Sequence, residues 1–291
     1  MSTQATLPAA DPQTFKTAMR EQWDSSAAGW NDHTLMIHAW LARATLAMMD
    51  KAHIRPLARV LDIAAGSGDQ TLEIAKRVGP QGLVVATDLS PAIMLLAKAN
   101  AAEAGYTNVQ TRVADGESLD LGSASFDAAV CRLGLMFFPE PLRGLREMYR
   151  VVKPGGRVAT LVFSVPEKNP CVTLMMSTAL KAAGAEPRDP WQPGGLLSLG
   201  KPGLLEGLFR SAGFTDVETS VVDAPFQLPS ARHYMDFVRT SASPIQHLLG
   251  KLSPAAADAA WDDIEKRLDV FTTPTGWEGP NELLLTSGLR S

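Results

Sequence analysis

Three acids, Asp62, Asp88 and Asp115, each close a short apolar run: "ARVLDIA" (58–64), "GLVVATD" (82–88) and "NVQTRVAD" (108–115). The first run leads into "AGSGDQ", which places Gly66 and Gly68 directly behind Asp62. Glycines just after a strand let a ligand lie against the backbone, and a carboxylate at a strand end can accept hydrogen bonds from that ligand. Taken singly, such an acid is more often a helix cap and such a glycine pair more often a turn. Three acids ending three successive runs beside one glycine loop point to a single binding site.

The loop excludes some ligands. A dinucleotide fingerprint needs G-x-G-x-x-G, and here Thr71 stands where the third glycine belongs. Asp69 would open the following helix, where a pyrophosphate would bind, and would repel it. The chain contains no G-x-x-x-x-G-K-[ST] phosphate loop. A ligand with an adenosine, no phosphate and a charged amino-acid tail suits these residues better. Asp62 would accept from an ammonium, and Gly66 and Gly68 would lie against a carboxypropyl chain or ribose. Asp88 would grip the ribose hydroxyls and Leu89 would cover one face of the adenine. Asp115 would accept from the exocyclic amine, with Gly116 or Glu117 reading the ring edge.

These residues need a frame to hold them. Between the runs lie amphipathic stretches, "DQTLEIAKRVG" (69–79) and "SPAIMLLAKANAAEAG" (90–105), the second with Ser90 as N-cap and Pro91 at N1. "FDAAVCR" (126–132) reads as a fourth strand, "PEPLRGLREMYRVVKPGG" (139–156) as a helix stopped by Pro154-Gly155-Gly156, and "RVATLVFS" (157–164) as a fifth strand. This alternation predicts an α/β fold, a Rossmann-like doubly wound, mostly parallel sheet, with ligands beyond the carboxyl ends of its strands. The expected organisation is a helical cap segment over 1–55, the binding core over 56–164 and an irregular proline-rich insertion over 165–201. A core helix and strand over 202–223, a helical cap insertion over 224–278 and a closing strand over 279–291 complete it. The first dozen residues read as a loose tail.

The stretch 58–164 resembles the core of class I S-adenosylmethionine-dependent methyltransferases, of the ubiquinone/menaquinone-biosynthesis subgroup and its natural-product relatives. "DIAAGSG" is similar to the acid-x-Gly-x-Gly-x-Gly motif, with Ala64 in place of the first glycine. "VVATDLSPAIM" resembles the second motif, "RVADGESL" the adenine-binding stretch, and "LREMYRVVKPGGRV" the helix and turn before the fifth strand. The resemblance implies S-adenosyl-L-methionine as cofactor, held by Asp62, Ala64, Gly66, Gly68, Asp88, Leu89, Asp115, Gly116, Glu117 and Arg132. Arg132 would offer its backbone carbonyl to the methionyl amino group, and Gln70 would bond the carboxylate. "QWDSSAAGWNDH" (22–33) occupies the place of a segment that closes over the cofactor in relatives, with Trp30 as its aromatic, although Trp23 and Trp30 could equally pack a helix on the core.

A sulfonium methyl is already an activated electrophile, so an enzyme has only to align a nucleophile and, for a hydroxyl, manage a proton. Some natural-product relatives place a histidine after the fourth strand; "RLGLMFFPEP" has none there and offers Met136 and Phe137 as an apolar substrate wall. Of the five histidines, His33 adjoins the Trp30 segment and is the candidate base, unless proximity alone suffices for an acidic phenol or an enolised carbon. The expected acceptor is a small apolar or aromatic molecule, methylated on oxygen or carbon. The alternatives are an NAD(P)-dependent oxidoreductase and a protein that binds S-adenosylmethionine without catalysis.

Composition narrows the setting. The chain has 291 residues, 45% hydrophobic and 20% charged, with a formal net charge of −4 and no dense Lys/Arg stripe, which argues against a nucleic-acid partner. Two cysteines, Cys131 and Cys171, suggest no disulfide framework and fit a reducing cytoplasm. No run of about 18 apolar residues exists to span a bilayer, no metal site is suggested, and the sequence leaves a homodimer open.

Overall fold

A computed structural model describes residues 11–187 and 189–291, so the tail expected over the first dozen residues lies outside them up to residue 10. Asp11 caps the first helix, α1 (Pro12–Asp32), by accepting from the Thr14 amide, and Pro12 fits the first turn, which needs no N–H. His33 separates α1 from α2 (Thr34–Lys51). The chain then alternates: β1 (Arg59–Ile63), α3 (Asp69–Val78), β2 (Leu83–Asp88), α4 (Pro91–Glu103), β3 (Val109–Val113), β4 (Phe126–Arg132), α5 (Pro141–Val151) and β5 (Val152–Phe163). Ser90 caps α4, its hydroxyl accepting from the Ile93 amide.

Among the described residues seven strands form one sheet in the order β3-β2-β1-β4-β5-β10-β6, with β6 (Thr215–Asp223) and β10 (Glu282–Leu289) completing the edge. β10 runs antiparallel to both its neighbours, and the rest of the sheet is parallel. Val60, Leu61, Val84, Ala129, Val130 and Leu161 are fully buried, because helices cover both faces and neither face of these strands meets water. Strand order reverses between β1 and β4, and in open α/β sheets that reversal creates a crevice at the carboxyl ends.

Three features of the chain up to residue 201 depart from the sequence reading. The helix over 139–156 ends at Val151, because Val152 already pairs with Phe126 and the chain resumes regular pairing at Arg157 with Ala128. Pro154, with no amide to donate, and Gly155, at φ +81°, form a bulge inside the strand rather than a helix stop. The insertion over 165–201 is not all irregular: it contains α6 (Pro170–Ala182), whose buried face includes Cys171, Met175 and Ala179. Pro170 sits at N1 and so starts this helix instead of breaking it.

α7 (Leu204–Ala212) precedes β6, and the C-terminal cap that follows holds α8 (Ala231–Ser241), α9 (Ser243–Leu249) and α10 (Pro254–Leu268). It also holds a small antiparallel sheet, absent from the sequence reading, of β7 (Phe226–Leu228), β8 (Thr272–Thr273) and β9 (Gly276–Gly279). Trp277 on β9 is buried, stacks on Tyr234 and donates its indole N–H to the Leu268 carbonyl at 2.7 Å. Among the described residues no helix is long and apolar enough to cross a membrane.

Candidate functional site

The loop after β1 turns through three left-handed residues, Ala64 (φ +53°), Gly66 (φ +59°) and Gly68 (φ +96°), before α3 starts at Asp69. Glycine takes such angles freely; an alanine does so at a cost. The Ala64 methyl finds room because the facing residue is Gly134, where an added Cβ would lie 2.3 Å from that methyl. Asp88, at the end of β2, ties this loop to its own: its carboxylate accepts from the Gly66 amide at 3.2 Å and the Ser90 amide at 3.0 Å. Burial raises the Asp88 carboxyl above its ordinary pKa, although these backbone amides oppose the rise.

A cavity opens over these strand ends, and Ala64, Gly66, Gln70, Asp88, Leu89, Asp115, Gly116, Glu117, Arg132, Trp30 and Phe137 all line it. Gly116 is needed there, since a side chain would meet the Phe138 ring at 2.4 Å. Gly68 does not line the cavity; its left-handed turn caps α3 against Ala97.

Asp62 is placed differently from the sequence reading. Its carboxylate is fully buried beneath the loop and not on the cavity wall, so no ammonium reaches it. It accepts instead from Gln70 Nε2 at 2.8 Å and Thr71 Oγ1 at 2.6 Å. Burial pushes its pKa up to about 6, against the pull of those two bonds and of Arg132. One of the two N–H donors of the Gln70 amide is thereby committed to Asp62, and the residue lines the cavity. Asp62 shapes the loop from below.

Charge on the wall itself comes from two other groups. Asp69 accepts from Arg132 Nη2 at 2.7 Å and pairs with His38 Nδ1 at 2.9 Å, while Arg132 Nη1 donates to Thr45 at 2.7 Å. The sequence reading gave Arg132 only a backbone role; the residue lines the cavity, and its guanidinium, with 6% of the side chain exposed, joins Asp69 to Thr45. At the other end of the cavity Lys16, from α1, reaches Asp115 at 2.6 Å and Glu117 at 2.5 Å. Burial pulls the Lys16 pKa down, but its bonds to the two acids outweigh that and leave it raised.

The remaining wall is apolar and aromatic. Trp23 meets Trp30 at 5.9 Å between ring centres and Phe137 edge-on at 5.3 Å, and Ile37, Leu41 and Leu133 extend this surface. Met136 is not part of it: the side chain is buried in the core, and its carbonyl accepts from Ser198. His33 also lies off the cavity, its Nδ1 on the Gly29 carbonyl at 2.8 Å and its ring against Phe237, where it ends a helix. Sequence reasoning missed Phe15, Lys16 and Met19. The four-residue spacing of Phe15, Met19 and Trp23, one stripe of a helix, was the available signal.

Among the described residues no group of three or more His, Cys, Asp or Glu could hold a metal ion. Both cysteines are buried, and burial pushes each thiol up to about 12, which makes them poor nucleophiles.

Similarity to known proteins agrees with this geometry. A ubiquinone/menaquinone biosynthesis C-methyltransferase, UbiE, of Hahella chejuensis is 38% identical over 156 residues, which are 52% of this chain and 61% of that protein. The chain therefore matches little more than half the length of this curated relative. Among solved structures, YcgJ of Bacillus subtilis superposes with a TM-score of 0.58 at 20% identity, covering 86% of this chain and 98% of its own. The [4+2]-cyclase SpnF gives 0.56 at 20% identity and covers 98% of this chain and 99% of its own. At such identities these likenesses speak for the fold alone. Residues 31–179, just over half the chain, match the sequence pattern that defines one family, and the chain belongs to the ubiE/COQ5 methyltransferase family.

Proposed function

We propose that the chain binds S-adenosyl-L-methionine and transfers its methyl group to a small apolar or aromatic acceptor, on oxygen or carbon. One observation carries this reading: a cavity at the strand ends that joins Asp88 and Asp115 to the opposed charges of Asp69 and Arg132. The residues fit the cofactor. Asp88 supplies a charged acceptor for ribose hydroxyls, Leu89 an apolar cover for adenine, and Asp115 with Gly116 a polar ring edge. Asp69 and Arg132 match the ammonium and carboxylate of an amino-acid tail, a task the sequence reading gave to Asp62 and Gln70. A pyrophosphate would face Asp69, Asp115 and Glu117, which argues against a dinucleotide.

When bound, the cofactor would supply an activated methyl electrophile. This chain's residues would orient the acceptor and exclude water. Trp23, Trp30 and Phe137, their rings inclined to one another, form an aromatic wall for an apolar acceptor, and orientation of this kind can supply about 7–11 kcal/mol of barrier lowering in favourable cases. The position of His33 off the cavity argues against it as the base. An acceptor already acidic, a phenol or an enolisable carbon, would need no protein base. The reading fits an intracellular enzyme working in a reducing compartment, its buried thiols unpaired.

The test is calorimetry with S-adenosylhomocysteine and with NAD, followed by methyl transfer from labelled S-adenosylmethionine to a panel of phenols and quinols. Binding of S-adenosylhomocysteine and labelled product are expected. Binding of NAD alone would overturn the reading, and cofactor binding without transfer to any acceptor would favour a non-methylating role.

A further inference from the structure

The two halves of α1 are held in different ways. From Ser26 onward the helix is embedded: Ser26, Ala27 and Gly29 are buried, and a side chain at Gly29 would fall 2.1 Å from the Thr240 carbonyl oxygen on α8. Asp24 accepts from the Ser90 hydroxyl and the Ala92 amide, Asn31 accepts from Asn100 at 2.8 Å, and Trp30 donates to the Ser241 carbonyl at 3.2 Å. Before Asp24 no residue of the helix is fully buried. Thr14 and Thr17 bond only within the helix, and Phe15 rests on Gly194. Among the described residues, the polar ties from these first turns to the body of the protein are those of Lys16 to Asp115 and Glu117.

Phe15, Lys16, Met19 and Trp23 nevertheless form the outer wall of the cavity. We propose that Lys16 is the clasp of a lid: the first turns of α1 swing on its anchored second half, and adenosine passes in or out only when Lys16 leaves Asp115 and Glu117. This inference rests on the proposed cofactor reading.

The acids explain why the clasp closes. Glu117 is 1% exposed; its Oε1 accepts from the Glu140 amide at 2.6 Å, and among the described residues its Oε2 has no partner other than the Lys16 ammonium beside it. A carboxylate oxygen buried without a cation is costly, so closure draws Lys16 in. Opening lets water replace the ammonium, which keeps the open state accessible. Asp115 Oδ1 already accepts from the Glu117 amide at 2.9 Å, so Oδ2 is the atom that Lys16 and an adenine amine would contest. Lys16 can yield Asp115 to the base and keep Glu117, which leaves the lid fastened over a bound ligand. A segment with few buried contacts and one polar tie belongs to the low-stability end of a fold, where lids are found.

Trp23 and Trp30 line the cavity and report its closure, so stopped-flow tryptophan fluorescence with S-adenosylhomocysteine reads the lid directly. Lys16→Met is expected to raise both association and dissociation rate constants about tenfold, with Kd moved less than about threefold, and Lys16→Arg to fall between. Unchanged rates, or faster dissociation with unchanged association, would overturn the proposal and make Lys16 an ordinary contact. Hydrogen exchange in the cofactor-free protein gives an independent measure. Amides of residues 16–22 should exchange faster in Lys16→Met while residues 26–32 do not change, and equal exchange in the two proteins would overturn it. Failure of the wild type to bind S-adenosylhomocysteine would refute the cofactor reading, and the exchange result would still judge the clasp.

Discussion

Asp62→Asn should abolish a pH dependence of stability that the buried carboxyl imposes. The Asp62 carboxyl titrates at about 6 in the folded protein, against 3.8 for an ordinary aspartate, with burial as the main cause. Between those two values the folded state keeps a proton that the unfolded chain has lost. Stability contributed by the protonated group is therefore present below pH 4 and falls as pH rises through 6. A gap of about two pKa units, at 1.36 kcal/mol each, makes the loss roughly 3 kcal/mol. Asparagine carries no charge at any of these values and can keep both contacts, accepting from Gln70 and donating to the Thr71 hydroxyl. Urea unfolding of both proteins at intervals from pH 4.5 to 8 measures the effect. The variant should gain on the wild type by roughly 2 kcal/mol across that range, while other acids, Asp88 among them, titrate in both proteins and largely cancel. Parallel stability curves would refute the reasoning. Because Asp62 lies beneath the loop, the variant should also bind S-adenosylhomocysteine within about threefold of wild type.

Asp88→Ala, by contrast, should cost roughly 1–3 kcal/mol of S-adenosylhomocysteine binding in calorimetry, since ribose hydroxyls lose a charged acceptor; unchanged affinity would show that the ribose lies elsewhere. Gly134→Ala should destabilise by about 1–3 kcal/mol in thermal melts, because its methyl would stand 2.3 Å from that of Ala64. Ala64→Gly added to it should recover part of the loss, and a double variant no more stable than Gly134→Ala would show that this contact is not the cause.

The parallel half of the fold was legible because β1, β2, β4 and β5 are largely apolar runs and Ser90-Pro91 marks a helix start without ambiguity. Strand 215–223 was legible with its boundaries. The position of a Pro-Gly-Gly bulge was not, since its residues stop a helix and kink a strand equally well. The small sheet of β7, β8 and β9 consists of segments two to four residues long, too short for any periodicity to show. At the site, most of the wall followed from the rule that strand ends carry ligands. That rule says which residues gather but not which way each side chain turns. Asp62 and Asp69 lie seven residues apart on either side of one loop, and only the left-handed turns between them send the first inward and the second to the cavity. Lys16 was out of reach for another reason. Its partners are 99 and 101 residues away in the chain, and no local pattern records such a pairing.

The strand pair β6 and β10 gives the C-terminal cap a particular status. Asp223 pairs with Glu282, and the Ala224 amide donates to the Asn281 carbonyl at 2.9 Å, so the chain leaves and rejoins the sheet at touching positions. Residues 224–281 are thus the elaborated tip of a hairpin. The cost of closing such a tip grows only slowly with its length. The tip is a cassette: its size can be exchanged without shifting the register of any strand that carries the cofactor end of the cavity. A condition travels with every exchange, because the cap also backs the lid's anchor. Any replacement must again offer an aromatic edge and a backbone carbonyl to Trp30, as Phe237 and Ser241 do now.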